Sequence, residues 1–223
     1  MSSGKASTGQ VGSGQFGSGQ LGSGQVGSGK TLIVGCGALA REIVAVVKAY
    51  GWQGVSVTCL PAIWHNRPEK IPDGVREKIR KGRKDGYERI FVAYGDCGTG
   101  GLLDAVLEEE GASRIGGDHC YAFYRGVEAF NAGHDKDPTC FYLTDYLARH
   151  FDRLIIQGLW LDRHPELMEQ IFGHYTRLVY LAQTEDPELD RLAQAAAETL
   201  GLDYERVVTG MGELERFLRQ AAA

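Results

Sequence analysis

Three cysteines of this 223-residue chain stand among glycines: Cys36 in Gly35-Cys36-Gly37, Cys97 in Gly95-Asp96-Cys97-Gly98-Thr99-Gly100-Gly101, and Cys120 in Gly116-Gly117-Asp118-His119-Cys120. Thiolates are soft ligands that select zinc or iron–sulfur clusters. A set of three protein ligands with one position open is the arrangement of a catalytic metal. The cysteines are 61 and 23 residues apart, so no short motif joins them, and the fold must bring them together. The expectation is a metal site of Cys36, Cys97 and Cys120 holding zinc or a [4Fe–4S] cluster, the choice between them open. Separate burial of the three thiols is the competing account.

Around these thiols stand groups suited to acid–base work and anion binding. His119 is the acid–base candidate because its imidazole titrates near neutrality. Arg163 and Thr99 are candidates for contact with a small anionic substrate. Backbone amides at Gly35, Gly37, Gly98 and Gly100 are the candidate cofactor-binding positions, since amides opening a helix favour anions and stabilise a thiolate. Cys59 lies in an apolar run and Cys140 in Thr139-Cys140-Phe141-Tyr142-Leu143, so both read as packing residues. His65, in Ala62-Ile63-Trp64-His65-Asn66-Arg67-Pro68, and the group Leu161-Asp162-Arg163-His164-Pro165-Glu166 are polar clusters in expected loops. Either suits substrate binding or proton transfer, and a helix cap before Pro165 explains the second equally well.

Elements able to carry these residues alternate along the chain. Leu32–Val34 is an apolar β-branched run, followed by glycine punctuation and a helical pattern over Ala38–Tyr50 with Leu39, Ile43, Val46 and Val47 on one face. The alternation returns with strands at Val55–Leu60, Arg89–Tyr94, Leu154–Gln157, Leu178–Ala182 and Arg206–Thr209. Helices are expected at Asp73–Lys84, Leu102–Glu110, Pro165–Phe172, Asp186–Leu200 and Glu213–Gln220. The pattern predicts an α/β fold, Rossmann-like and three-layered, with a mainly parallel sheet covered by helices on both faces. Ligands of such folds sit beyond the carboxyl ends of the strands, where the glycine-flanked thiols fall.

Two nucleotide signatures occur in the chain. Gly35-Cys36-Gly37-Ala38-Leu39-Ala40 fits the dinucleotide pattern G-x-G-x-x-[GA] after a strand and before a helix, which leaves a nucleotide-binding Rossmann-like enzyme as an alternative. The acidic ribose partner is missing, because Val57-Thr58-Cys59-Leu60-Pro61 ends the second strand without a carboxylate. Gly24–Thr31 satisfies the phosphate-loop pattern G-x-x-x-x-G-K-[ST] in the wrong context, with a glycine repeat before it and a strand after it. A Gly/Ser repeat ending in Lys-Thr generates that match unaided.

Residues 1–30 hold 10 of the 31 glycines and repeat a five-residue unit in which Gln10, Gln15, Gln20 and Gln25 are each followed by one apolar residue and Gly-Ser-Gly. So little bulky apolar surface does not offset the ordering entropy of that much glycine, and a disordered tether is expected ahead of one α/β domain over 31–223. The whole chain carries 24 Lys and Arg against 29 Asp and Glu, a net charge of −5. The tether contributes two lysines and no acid, so the remainder is more acidic still. This balance argues against nucleic acid or an anionic membrane surface as partner. No apolar run reaches the ~18–20 residues of a membrane span, and no basic region followed by an apolar core opens the chain. Five cysteines, an odd number, fit reduced thiols better than a disulfide framework. A cytoplasmic protein is expected.

The chain resembles the DUF1638 domain proteins of bacteria and methanogenic archaea. The resemblance is carried by Cys36-Gly37-Ala38-Leu39-Ala40-Arg41-Glu42-Ile43, Leu60-Pro61-Ala62 with His65-Asn66-Arg67-Pro68-Glu69, and Tyr94-Gly95-Asp96-Cys97-Gly98-Thr99-Gly100-Gly101. It continues through His119-Cys120-Tyr121, Phe141-Tyr142-Leu143-Thr144-Asp145, Leu161–Leu167 and Leu178–Gln183, and spans roughly residues 31–218. The family pattern places cysteines at Cys36, Cys97 and Cys120; Cys140 stands where glycine is expected, and the repeat tail is outside the pattern. The resemblance implies no established reaction. Members often accompany corrinoid-dependent methyltransferases and folate one-carbon enzymes, which implies a setting in methyl transfer. Two classes of function follow: metal–thiolate catalysis, or non-catalytic binding and delivery of a metal or corrinoid to methyltransferase components.

Overall fold

The computed structural model describes residues 29–222, and at 134–136 the backbone alone. Most of the glycine repeat expected to be a tether lies outside the described residues. Where they begin, β1 (Thr31–Cys36) follows directly on Lys30, so the phosphate-loop match opens no helix. Every residue of β1 is buried, as an apolar β-branched strand must be when it has neighbours on both sides. A 3₁₀ turn (Gly37–Leu39) leads into α1 (Ala40–Ala49), followed by β2 (Val55–Leu60), a second 3₁₀ turn (Ala62–Asn66) and α2 (Ile71–Lys84). β3 (Arg89–Ala93), α3 (Leu102–Glu109) and the short β4 (Ser113–Arg114) complete the first sheet, ordered β2-β1-β3-β4. Its strand pairings are parallel, with Ile33 opposite both Val57 and Phe91.

A second parallel sheet follows two helices, α4 (Ala122–Arg125) and α5 (Val127–Lys136). It is built from β5 (Cys140–Thr144), β6 (Arg177–Ala182) and β7 (Asp203–Val208), in the order β5-β6-β7. Between β5 and β6 run α6 (Asp145–Arg149), a π-helical turn (Asp152–Ile156) and α7 (Leu167–Phe172); α8 (Pro187–Leu200) joins β6 to β7. The last helix, α9 (Gly212–Ala222), returns to the first sheet's core, where Leu214 and Leu218 are buried with Ile43, Val46 and Phe123. The Tyr50 hydroxyl donates to Glu215 Oε1 at 2.6 Å and fastens this return.

The α/β class and the parallel strands agree with the sequence reading, but the strands are shared between two sheets. Leu154–Gln157, expected as a strand, is the π-helical turn and its exit. Its apolar residues belong to the set Phe151, Leu154, Ile155 and Leu161, all buried, and a four-residue apolar run has no period that separates strand from helix. Cys140 opens β5, buried among Phe130, Tyr142 and Val179. Cys59 sits within β2, where burial pushes its thiol up to about 11. Both are placed as packing residues. Among the described residues no helix is long and apolar enough to cross a membrane.

Candidate functional site

In the first sheet β1 has β2 on one side and β3 on the other, so the turns leaving β1 and β3 diverge and open a crevice at the carboxyl edge. Cys36 is the last residue of β1, Cys97 lies in the turn after β3, and Cys120 lies in the loop after β4. Close approach of these loops depends on two glycines. A Cβ on Gly37 would stand 2.9 Å from the Leu60 carbonyl oxygen, and one on Gly95 would stand 2.8 Å from the His119 carbonyl carbon and 3.0 Å from the Cys120 nitrogen. With no side chain at position 95, two backbone bonds close the gap: Cys97 N–H donates to Asp118 O at 2.6 Å and Asp96 N–H to Gly117 O at 3.0 Å.

The consequence is that sulfurs remote in sequence touch. Cys97 Sγ lies 3.2 Å from Cys120 Sγ, and the Gly95 N–H donates to Cys120 Sγ at 3.5 Å. Cys120 also reaches Cys36. All three line one cavity of about 50 Å³ together with His65 and Tyr94, and Leu154 and Ile155 close it from the second half of the chain. By that measure a water-sized atom needs ~10–15 Å³, so the space suits a few atoms.

Electrostatics differ among the three thiols. The Cys120 thiol beside it, opposed by burial and aided by His65, lowers Cys97 to about 5. Contact with the Cys120 thiol, opposed by burial and aided by the Ala38 amide, also lowers Cys36. Cys120 is held well above the ordinary thiol value by Cys36 and Cys97. A thiol has one proton to donate, so Cys120 serves one neighbour at a time. His65 is solvent-exposed on one side and on the other reaches Cys97, whose sulfur raises the imidazole above its ordinary value. Cys97 has φ +51, in the left-handed region that costs a non-glycine residue ~1–2 kcal/mol. The Tyr94 hydroxyl, on a side chain 1% exposed, lines the cavity and has the Cys36 thiol as its neighbour in place of a nitrogen or oxygen partner. Burial, then the nearby thiols, raises its pKa. Sulfur is a weak acceptor, so the hydroxyl is poorly satisfied until something in the cavity accepts from it.

Other expected site residues fall elsewhere. Thr99 is buried, donates to Asp96 Oδ1 at 2.6 Å and accepts from the Leu103 amide; it caps a turn and does not line the cavity. The Gly100 and Gly101 amides are taken by the Asp96 carboxylate at 3.0 and 2.9 Å. The anion expected at this helix start is therefore the protein's own Asp96. Against the effect of burial, Thr99 and those amides hold the Asp96 carboxyl below the usual carboxylate range. Gly98 has φ +85, and a Cβ there would meet the Pro68 ring at 3.6 Å. A Cβ on Gly35 would stand 2.7 Å from Ile43 Cδ1, so Gly35 and Gly37 are accounted for by close packing without a dinucleotide. His119 is outside the cavity lining, stacked on Tyr121 with ring centroids 4.8 Å apart. Arg163 is exposed, its guanidinium 5.3 Å from the Trp160 ring centre, and it does not line the cavity either. His65 is the imidazole at the sulfurs. The signal that finds it is position, since it lies in the 3₁₀ turn that leaves the carboxyl end of β2, the edge that carries the thiols.

Among the described residues no group of three or more His, Cys, Asp or Glu side chains is placed to hold a metal ion as it stands. The donor set of three thiols and an imidazole nevertheless has the composition of a Cys₃His site. No curated protein matches the chain. The family model described as "Protein of unknown function (DUF1638)" matches residues 59–218, a stretch that includes Cys97 and Cys120 and begins after Cys36. By that match over most of its length, the chain belongs to the DUF1638 family.

Proposed function

We propose that the cavity is a metal–thiolate centre in which Cys36, Cys97 and Cys120, with His65, hold a single soft ion, zinc in preference to a [4Fe–4S] cluster. The observation that carries this reading is the convergence of three thiols on one imidazole-flanked cavity at the switch point of the first sheet. A cubane spreads its thiolates over separate irons, whereas these sulfurs stand in contact and the free volume is about 50 Å³. A zinc ion held there would supply Lewis-acid activation of a thiol or water. The chain's own residues do the rest. Before a metal enters, the Cys120 thiol and His65 favour the Cys97 thiolate; Leu154 and Ile155 limit water, and the Tyr94 hydroxyl offers a donor to whatever enters. Placement in one-carbon metabolism, beside corrinoid methyltransferase components, rests on the family resemblance alone.

A second reading is favoured by the Cys97–His65 contact itself: a metal-free nucleophilic thiolate with an imidazole partner. Anaerobic purification followed by elemental analysis and an absorption spectrum separates the two. The proposal expects a colourless protein with one zinc per chain, lost in Cys97→Ser and Cys120→Ser variants that still fold. A brown protein with iron and sulfide would replace zinc by the cluster. A metal-free chain whose Cys97 alkylates selectively would replace the metal by the nucleophile.

A further inference from the structure

The walls that carry His65 and Leu154 toward the thiols have outer faces, and these form a second feature. Outside the cavity, Ile63, Arg67, Arg153, Gln157 and Trp160 line a groove of about 470 Å³, and Asn66 lines both groove and cavity. The 3₁₀ turn Ala62–Asn66 thus turns Ala62 and His65 inward and Ile63 outward. The π-helical segment turns Leu154 and Ile155 inward, with Arg153 and Gln157 outward. The two walls are joined by Asn66 Nδ2 donating to Leu154 O at 2.9 Å.

Three observations give the groove a chemistry. Arg67 and Arg153, both exposed, have no carboxylate partner among the described residues, although the chain as a whole is acidic; Glu69 is the carboxylate on the groove's lining. Trp160 and Ile63 are 51% and 42% exposed, large apolar side chains left in water beside those guanidinium groups. Trp160 has φ +65, and among the described residues the only other non-glycine at positive φ is Cys97. Backbone strain of this kind gathers at ligand clamps and active sites. Here the two strained residues are the thiolate and an exposed indole on opposite sides of one shared wall.

We propose that this groove is the binding site for an organic oxyanion, a carboxylate or phosphate carried on a flat unsaturated body, which Arg67 and Arg153 hold by the anion and Trp160 by its face, next to the thiolate centre. Guanidinium groups bind both oxyanions in a fork, and the indole face with the Ile63 side chain supplies apolar area. The inference rests on the proposed thiolate centre for its purpose, and on the groove's own residues for its ligand. It moves anion recognition from Arg163, which backs the Trp160 ring, to Arg67 and Arg153.

Calorimetric titration of the full chain with phenyl phosphate, benzoate and inorganic phosphate tests it. Saturable binding of one aromatic anion is expected, at least tenfold tighter than inorganic phosphate. Tighter phenyl phosphate assigns a phosphate ligand and tighter benzoate a carboxylate. The double variant Arg67→Ala/Arg153→Ala should weaken binding at least tenfold, and so should Trp160→Gly, which keeps the left-handed backbone without strain. Absence of saturable binding by either aromatic anion, or binding indifferent to these variants, would overturn the proposal. Zinc content measured on the same samples keeps the two ideas apart: zinc without anion binding sinks the groove alone, and anion binding without zinc sinks the metal centre alone.

Discussion

The carboxyl edges of the two sheets are built from similar parts and end in opposite states. Beyond β5 and β6, Asp145 is buried, and its carboxylate accepts from Tyr180 Oη at 2.7 Å, Gln183 N at 3.0 Å and Thr184 Oγ1 at 2.6 Å; its own amide donates to Gln183 Oε1 at 2.8 Å. Tyr180 and Gln183 are buried with it, and Thr184 closes the cluster from the solvent side. Beyond β1 and β3, the buried Tyr94 hydroxyl has only the Cys36 sulfur to turn to, the Cys97 thiol with its lowered pKa sits on left-handed backbone and two sulfurs touch. A satisfied polar cluster fixes a loop; an unsatisfied one is a place where chemistry is left to be completed by something else. The same α/β logic thus yields one edge that holds structure and one that holds reactive groups.

Breaking the satisfied edge should produce the largest effect on stability. Asp145→Ala strands the buried Tyr180 hydroxyl and Gln183 amide, while water takes up the exposed Thr184 hydroxyl, and hydrogen bonds to a charged group carry ~1.5–3 kcal/mol each before relaxation. A loss of about 3–5 kcal/mol in denaturant unfolding is expected, with zinc content per folded chain unchanged. Gly95→Ala comes next. Its methyl would stand 2.8 Å from the Cys120 loop, and overpacking of this kind costs ~1–3 kcal/mol. Because the shift separates Cys97 from Cys120, zinc affinity should fall with stability, a coupling that Asp145→Ala lacks. Smallest is Cys97→Gly: relief of left-handed strain offsets lost packing, so the stability change should stay below about 1 kcal/mol while thiol reactivity and metal are lost. A large destabilisation by Cys97→Gly would make that residue a packing cysteine and erase the difference between the edges.

What could be read from the sequence divides along the same line. β1, β2 and β3 were legible as short apolar runs between turn residues, whereas the two-residue β4 carries no such run; the three cysteines were legible because each stands among glycines where a βα turn was due. Their shared rim follows from parallel topology, which places every such turn on one edge. The π-helical turn was not legible, since Leu154 and Ile155 are apolar in strand and helix alike. Nor were the partners of single polar groups. Thr99 and the Gly100 amide look free for a substrate in sequence and are consumed by Asp96, three and four residues from it. His119, next to Cys120 in the chain, turns to stack on Tyr121, while His65, far from every site cysteine in sequence, reaches Cys97. Adjacency in sequence says little about side-chain direction, which is set by the loop's backbone.

The central claim is that three sulfurs and one imidazole act as one ligand set. X-ray absorption at the zinc edge, on the chain loaded with one equivalent of Zn²⁺, tests it most directly. The account predicts a shell of three sulfurs at about 2.3 Å and one nitrogen at about 2.0–2.1 Å, with the sulfur count falling by one in Cys36→Ser. A shell of oxygen and nitrogen alone, or a sulfur count untouched by that substitution, would contradict it.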